Sequence, residues 1–462
     1  MGANRQVTGS RYCLEAAGKQ LVIDYGLFQE RPFEQRNWDP CLIPPEEVEA
    51  VCLTHIHIDH SGLLPRFVKQ GFSGPIYATT PTCEFAPIVL ADAARIQAED
   101  AAYKQKRHQK EGRHKSTREP QILYSDADAM KTVQLMKGVS YGQPINIHDA
   151  FRVTYHDAGH ILGSALLEID VFEGASSKKI VFSGDLGQND KPLIRDPSLL
   201  KSADYVVMES TYGDRNHEDH GNVVDQLADI INRTIRRGGQ VVIPTFAIER
   251  AQELMYYLSQ LVHNDRIPDV PVFLDSPMAV DVTEVYLKFP EYLDAESLAM
   301  LRGGKSPLAF PGLKLCSSVQ ESKSINQSRK PAIIMATSGM CDSGRIKHHL
   351  KHTIERPECT ILFVGYQGNG TLGRIILDGT PKVRIHGAEY ISRAEKAKIY
   401  GFSGHADRDD LLRWIGNFEG SPKRVFLTHG EEDAARSLAA EIENKFKYSV
   451  TIPNYRETID LI

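Results

Sequence analysis

Short apolar runs recur along the chain, and each is followed by a polar or glycine-rich turn. Several of these runs end in a side chain that can take part in chemistry. They are "LVIDYG" with Asp24, "VCLTHIH" with His55 and His57, "KIVFSGD" with Asp185, "YVVMES" with Glu209 and "RVFLTH" with His429. Because α/β folds place their sites at strand ends, this pattern predicts an α/β chain with functional side chains there.

The middle of the chain, from about 209 to 398, repeats a strand–loop–helix pattern. The predicted pairs are "QVVIPT" before "FAIERAQELMYYLSQL", "VPVFLDS" before "PMAVDVTEVYLKF", and "PAIIMA" before "TSGMCDSGRIKHHLKH". Strands that alternate with helices are typical of parallel sheets. This block is therefore predicted to be a doubly wound α/β domain of its own.

Composition narrows the class of protein. The length of 462 residues favours about three domain-sized units, and 41% hydrophobic with 25% charged residues is typical of a globular chain. No apolar run is long enough to span a membrane, and "MGANRQVTGS" lacks the apolar stretch of a signal peptide. The seven cysteines are scattered without a Cys-x-x-Cys pair, which indicates reduced thiols in a cytoplasmic protein.

The distribution of charge along the chain shows one strongly basic segment. The net charge of −6 provides no general attraction to nucleic acid, but "KQKRHQKEGRHKSTR", residues 104–118, is strongly basic. One interpretation is a solvated helix face or loop. The other is an arm that attracts phosphates through Lys104, Lys106, Arg107 and Lys110. Both interpretations stay open at this point.

The stretch "LTHIHIDHSG" predicts a metal site. His55 and His57 are one residue apart, so in extended backbone they point to the same side. Asp59 and His60 follow as the chain turns into a helix, and they could face a second ion. Imidazoles with a carboxylate suit zinc better than manganese. Further candidate ligands come from "YHDAGHILGSA", "FSGDLG" and "LTHGE", namely His160, Asp185 and His429.

The segment "GNGTLG", residues 368–373, fits the glycine pattern of a dinucleotide-binding loop. That function requires a full crossover helix and then an acidic residue about 20 positions later. Here only "RIIL" precedes the chain-breaking "DGT". A nucleotide cofactor is therefore not expected.

Taken together, these motifs resemble a known family. "THIHIDHSG", "AGHILGS" and "FSGDLG" are similar to the metal-binding motifs of the metallo-β-lactamase fold, and "ESTYGDR", "GFSGHAD" and "VFLTHGEE" to the added motifs of its β-CASP branch. That branch contains RNA- and DNA-processing nucleases, including the endonuclease of the cleavage and polyadenylation machinery. The resemblance implies an αββα metallo-β-lactamase domain, residues 1–208 and 400–462, with a β-CASP domain inserted at 209–399.

The resemblance also implies roles for individual residues. His55, His57 and His160 would bind one zinc ion, Asp59, His60 and His429 would bind the other, and Asp185 would bridge the two. Asp24 would orient the histidine loop without binding metal. Glu209 and His405 would protonate the leaving oxygen, while a hydroxide shared by two metal ions attacks the phosphodiester. Contacts to RNA phosphates would come from Ser338, Gly339, Arg345, Thr371 and Arg374.

The expected function is therefore zinc-dependent hydrolysis of RNA in RNA processing or decay, endo- or 5′-exonucleolytic. The expected partner is single-stranded RNA, with no membrane partner and with a homodimer left open. Two alternatives remain: a small ester or thioester hydrolase of the same fold, and a non-catalytic scaffold subunit. The chain begins at the glycine of "GANRQVTGS", before which relatives usually have a strand, so an unpaired sheet edge is also expected.

Overall fold

The computed structural model describes residues 2–110, 121–174, 176–217 and 222–461, without the side chains of residues 106–110. The chain forms two compact units. The first contains residues 1–189, 196–216 and 405–462, and the second contains residues 190–195 and 217–404. The basic segment 104–118 lies mostly outside the described residues.

The first unit begins with two sheets and the helices beside them. Their bounds are β1 (Tyr12–Ala16), β2 (Lys19–Ile23), β3 (Val48–Cys52), α1 (Ile58–Ser61), α2 (Leu64–Lys69), β4 (Ile76–Thr79), α3 (Thr80–Lys110), α4 (Asp126–Leu135), β5 (Met136–Val139), β6 (Ile145–Ile147), β7 (Phe151–Asp157), β8 (Ala165–Glu173), β9 (Ser176–Phe182) and β10 (Tyr205–Glu209). The first sheet has the order β1-β2-β3-β4-β5, so β1 is an edge strand within the described part of the chain.

The second unit is built on a parallel sheet. Its elements are α5 (Val223–Arg236), β11 (Gln240–Pro244), α6 (Arg250–His263), β12 (Val272–Asp275), α7 (Pro277–Lys288), α8 (Ala295–Arg302), β13 (Leu313–Cys316), α9 (Val319–Gln327), β14 (Ala332–Ala336), α10 (Ile346–Thr353), β15 (Thr360–Phe363), α11 (Leu372–Leu377), β16 (Lys382–Ile385), β17 (Ala388–Ile391) and β18 (Glu395–Lys398). The sheet has the order β13-β12-β14-β11-β15-β18, and β16 and β17 form a separate hairpin.

The chain then returns to the first unit with α12 (Arg408–Ile415), β19 (Arg424–Thr428), α13 (Glu432–Phe446) and β20 (Val450–Thr451). These strands complete a second sheet with the order β20-β19-β10-β9-β8-β7-β6. Strand β10 pairs in parallel with β19, and Glu209 lies opposite Thr428. This register places the residues after both strands, Ser210 and His429, side by side.

The hydrophobic pattern explains the layers of the first unit. In β7, Phe151, Val153 and Tyr155 are buried while Arg152 is exposed, which is the alternation of a sheet with one face in a core. The buried faces of both sheets share one cluster that includes Ile23 and Leu167. Helices α12 and α13 cover the other face of the second sheet. The predicted αββα sandwich is therefore confirmed.

The central strands β11, β14 and β15 of the second unit are buried along their whole length, as expected for a parallel sheet covered on both faces. The predicted doubly wound arrangement is confirmed. The helix predicted from "FAIERAQELMYYLSQL" begins only at Arg250, because residues 247–249 form a turn after β11. Helix α11, after "GNGTLG", has six residues, too few for a crossover helix.

No helix among the described residues is long and apolar enough to cross a membrane.

Candidate active site

The predicted ligands lie at strand ends and loops of the first unit. His55 and His57 follow β3, and Asp59 and His60 lie in α1, which begins directly after them. His160 lies between β7 and β8, Asp185 follows β9, and His429 follows β19. All seven belong to clusters in which potential metal-binding atoms lie within 4.8 Å of one another. The structure therefore brings together residues that are up to several hundred positions apart in the chain.

One cluster joins three imidazoles and a carboxylate. His57 Nδ1 lies 3.1 Å from His55 Nε2 and 3.2 Å from His160 Nε2. Asp185 Oδ2 lies 3.4 Å from His55 Nε2 and 3.6 Å from His160 Nε2. Three ring nitrogens and one oxygen thus converge on a small volume. This donor set suits zinc.

The other cluster, Asp59, His60 and His429, lies next to the second carboxylate oxygen of Asp185. Asp185 Oδ1 is 3.1 Å from His60 Nε2 and 3.5 Å from His429 Nε2. Asp59 Oδ2 is 3.3 Å from His429 Nε2 and 4.0 Å from His60 Nε2. Asp185 therefore faces one histidine set with each of its oxygens.

Two buried polar atoms without hydrogen-bond partners indicate whether this arrangement fits a metal ion. Neither His60 Nε2 nor Asp185 Oδ1 has a hydrogen-bond partner, although both residues are buried. His60 Nδ1 already lies 2.7 Å from Asp24 Oδ2, which is the pairing expected of an N–H donor. When the ring is neutral, as metal binding requires, the lone pair on Nε2 points toward the oxygen of Asp185. A cation between the two atoms would satisfy both, so the residues fit a bound metal.

Side chains outside the clusters fix the orientation of the imidazoles. Asp24 accepts hydrogen bonds from the Thr54 amide at 2.7 Å and from the Thr54 hydroxyl at 2.8 Å. Thr54 Oγ1 also lies 3.1 Å from His55 Nδ1. Thr211 Oγ1 lies 3.1 Å from His429 Nδ1 and donates to the His429 carbonyl. These contacts direct the Nε2 atoms inward, as outer partners of metal-binding histidines do.

Gly187 allows close contact between the loops that carry Asp185 and His160. A Cβ at Gly187 of "FSGDLG" would lie 1.6 Å from the carbonyl oxygen of Gly159 in "AGHILGS". Only glycine permits so close an approach. The Asp185 loop and the His160 loop are thereby held together.

Burial and neighbouring charges shift the pKa values of the histidines in opposite directions. Burial lowers the pKa of His55 to about 3 and that of His57 to about 4, and it holds the pKa of His160 well below its ordinary value. Burial also opposes charge on His60, but Asp185 and Asp24 raise its pKa well above the usual range. For Asp185, burial raises the pKa, yet His429, His60 and His55 together hold it well below the ordinary value. Neutral imidazoles and ionised carboxylates are the forms that bind metal.

Glu209 and His405 form a pair beside the clusters. His405 Nδ1 lies 3.2 Å from each oxygen of Glu209, and both residues group with Asp185. The Glu209 side chain is fully buried, and its Oε1 accepts the Leu186 amide at 2.5 Å, while His405 is 22% exposed. Burial lowers the pKa of His405, but Glu209 and the other carboxylates raise it to about 9. These carboxylates therefore favour the protonated form of the imidazole.

The residues predicted as RNA contacts lie in the second unit. Arg345 uses its guanidinium internally: it donates to Asp275 Oδ1 at 2.6 Å and to the Ser317 carbonyl at 2.6 Å. The Thr371 hydroxyl caps α11, and Arg374 donates to Asp378 at 2.8 Å. Ser338 and Gly339 follow β14. Their roles stay predictions, and a direct phosphate contact by Arg345 would require rearranged hydrogen bonds.

Sequence reasoning did not identify Thr54 and Thr211. A threonine beside a metal-binding motif carries no distinctive spacing, because its hydroxyl becomes relevant only when folding aims it at an imidazole. The position of Thr54, directly before His55, is the one signal available. For Thr211, the signal would have been its place in "ESTYGDR" next to the strand that pairs with β19.

Comparison with protein families assigns the chain in three parts. Residues 13–209 match a metallo-β-lactamase superfamily domain, residues 251–376 match a Beta-Casp domain, and residues 391–453 match a Zn-dependent metallo-hydrolase RNA specificity domain. A solved structure of a protein of unknown function from Enterococcus faecalis aligns with a TM-score of 0.53 at 13% identity, over 98% of this chain and 96% of that one. That likeness concerns the fold.

Several curated proteins are similar over most of their length. Ribonuclease TTHA0252 of Thermus thermophilus is 39% identical over 437 residues, which cover 95% of this chain and 94% of that protein. Transcription termination factor FttA of Methanosarcina mazei is 31% identical over 100% of this chain and 71% of its own. FttA of Pyrococcus horikoshii is 33% identical over 100% of this chain and 70% of that protein. This chain therefore belongs to the β-CASP family of metallo-β-lactamase-fold nucleases, which are metal-dependent hydrolases.

Proposed function

We propose that this chain is a zinc-dependent ribonuclease in which His405 is the general acid. The observation that carries the proposal is the His405–Glu209 pair, which converges on Asp185 at the edge of the metal-binding clusters. Hydrolysis of a phosphodiester requires protonation of a poor leaving oxygen, and a charged imidazole can supply that proton. The ribonuclease named among the relatives supports RNA as the substrate.

The seven clustered residues would hold two zinc ions. His55, His57 and His160 form one donor set, Asp59, His60 and His429 form the other, and Asp185 faces both. Once bound, two such ions supply an activated water near neutral pH and neutralise charge on the phosphate. Asp24, Thr54 and Thr211 keep the imidazoles in the binding orientation.

The chain's own residues manage the leaving group. Glu209 is held by the Leu186 amide and accepts from His405 Nδ1, so it fixes the ring and stabilises its positive charge. The other ring nitrogen, Nε2, would donate its proton to the departing oxygen of the RNA. A positioned acid of this kind contributes about 10²–10⁴-fold to the rate.

The Glu209–His405 pair and the complete set of ligands favour a ribonuclease over the two alternative functions. A small ester or thioester hydrolase would use the metal site but has no need of a buried carboxylate that charges an imidazole. A scaffold subunit would be free to lose ligands, whereas every predicted ligand is present and clustered. Both features favour a catalyst acting on a poor leaving group.

Purified protein incubated with internally labelled RNA tests the proposal. Two versions of the RNA, with a 5′-phosphate or a 5′-hydroxyl, and a DNA of the same sequence would be compared. We expect RNA products that disappear with a chelator and return with zinc more fully than with manganese. Asp185→Asn, which removes the shared carboxylate, is the matched inactive control. Hydrolysis of a small ester without any cleavage of RNA would refute the proposal.

A further inference from the structure

Two exposed aromatic side chains lie at the ends of neighbouring strands in the second unit. Phe246 follows β11 and Tyr366 follows β15, and these strands pair in parallel. Phe246 is 43% exposed and Tyr366 is 58% exposed. Scattered single apolar residues are ordinary on protein surfaces. These two large rings after adjacent strand ends are here together called the aromatic surface (Phe246 and Tyr366).

The sheet topology places this surface where parallel sheets bind ligands. After β11 the chain proceeds to β12, on one side of the sheet order. After β15, the neighbour of β11 on the other side, the chain proceeds to β18, toward the opposite edge of the sheet. Connections that diverge in this way leave a crevice outside the carboxyl ends of the strands, and ligands bind in such crevices. Phe246 and Tyr366 lie at that end.

Glycines and hydrogen bonds support the rings. A Cβ at Gly339 would lie 2.7 Å from two carbons of the Phe246 ring, so the ring rests directly on the backbone of the loop after β14. Gln367 donates from Nε2 to the Gly339 carbonyl at 3.0 Å, and the Gly373 amide donates to the Met340 carbonyl at 2.9 Å. The loops after β14 and β15 are thus joined to each other. The aromatic surface is presented on a defined support.

The chemistry of the surface favours a planar, apolar ligand next to an anion. Stacking on an aromatic ring suits any nucleobase, because every base has a π-face. Ser338 lies in the loop after β14, and Arg374, which is 43% exposed and pairs with the exposed Asp378, lies in α11 directly after the loop that carries Tyr366. Both side chains can meet phosphates. A protein partner could also cover these rings, but stacking surfaces beside a cationic group are the combination that single-stranded nucleic acid requires, and the binding test below distinguishes the two.

We propose that Phe246 and Tyr366 stack against unpaired bases of single-stranded RNA and hold the substrate independently of sequence; this inference rests on the proposed ribonuclease function. Each stacked base is worth about 5- to 150-fold in affinity. Because neither side chain is charged, their removal would not change the number of phosphates that the protein neutralises.

The test measures binding of a fluorescent 12-nucleotide single-stranded RNA to the zinc-loaded protein, with phosphorothioate linkages that slow hydrolysis. We expect Phe246→Ala/Tyr366→Ala to bind at least about 10-fold more weakly, with an unchanged slope of affinity against salt. Phe246→Tyr and Tyr366→Phe, which keep the rings, should restore binding. Leu287→Ala, which truncates an exposed side chain of the same unit, is the matched control.

An abasic scan gives a readout that a structural role would not alter. Single abasic sites along the RNA should weaken binding to the native protein at one or two positions, and those positions should have no effect in the double alanine variant. Equal RNA affinity of native and double variant, or a flat abasic scan, would overturn the inference. A change of oligomeric state in light scattering with unchanged RNA affinity would overturn it in favour of a protein contact.

Failure of the inference is separable from failure of the proposed function. If native protein cleaves RNA and the double variant binds it equally well, only the aromatic surface is wrongly assigned. If native protein cleaves no RNA under any metal condition, the proposed function fails first. Thermal unfolding of each variant shows whether a loss of binding reflects a loss of fold.

Discussion

Replacement of His405 by alanine should separate phosphodiester hydrolysis from metal binding. His405 Nδ1 lies 3.2 Å from both oxygens of a fully buried Glu209, so one partner holds the imidazole in position. Loss of a positioned general acid costs about 10²–10⁴-fold in rate, or about 2.7–5.5 kcal/mol in the activation barrier. We expect RNA cleavage by His405→Ala to fall within this range while the zinc content is unchanged.

The assay compares two substrates under single-turnover conditions. A labelled RNA requires a proton on its leaving oxygen, whereas bis(p-nitrophenyl) phosphate has a leaving group that departs as an anion. The loss should therefore shrink to less than about 10-fold on the nitrophenyl substrate. Metal content is measured by elemental analysis in the same samples. His263→Ala, at an exposed histidine of the second unit, is the matched control.

A second variant checks that the pair acts as a unit. Glu209→Gln removes the charge that stabilises the imidazolium, and the double variant Glu209→Gln/His405→Ala should be little worse than His405→Ala alone. Additive losses would contradict the proposed pairing. If His405→Ala releases zinc, or cleaves RNA at the native rate, the assignment of that histidine as the acid is wrong.

Three further outcomes follow from the structure. His429→Ala removes a predicted ligand, so the zinc content should fall and hydrolysis of RNA and of the nitrophenyl substrate should fall together; unchanged metal content would contradict the assignment. Asp24→Asn, which weakens the hold on His60 and Thr54, should lower zinc affinity about 10–100-fold in competition with a chelator, and an unchanged affinity would refute an orienting role. Neutralising Lys104, Lys106, Arg107 and Lys110 of the basic segment 104–118 should weaken RNA binding and flatten its salt dependence; an unchanged salt slope would identify the segment as a solvated face.

Much of the metal site was predictable because its ligands occur in short, dense motifs. His55, His57, Asp59 and His60 fall within six positions, and their spacing alone indicates a shared direction. The Glu209–His405 pair was different, since 196 positions separate the two residues and spacing says nothing about their contact. Only the resemblance to the family implied it, and the distance in the structure agrees.

Other features depend on packing that no local pattern encodes. Arg345 lies in a motif suited to phosphate binding, yet a buried Asp275 engages its guanidinium. The start of α6 is later than its sequence pattern suggests, because the chain first turns at residues 247–249. The exposure of Phe246 could not be foreseen, since a large apolar residue after a buried strand is expected to be in the core.

The pairing of β10 with β19 has a consequence for the order in which the protein is made. These neighbouring strands are separated in the chain by the whole second unit, so the edge that carries Glu209 is incomplete until residue 428 has been synthesised. A growing chain that has reached residue 400 contains His55, His57, His160 and Asp185, but neither His405 nor His429. With the roles proposed above, it can assemble one donor set and no proton donor. On these proposed roles, the ability to hydrolyse RNA would arise only after residue 429 has been synthesised.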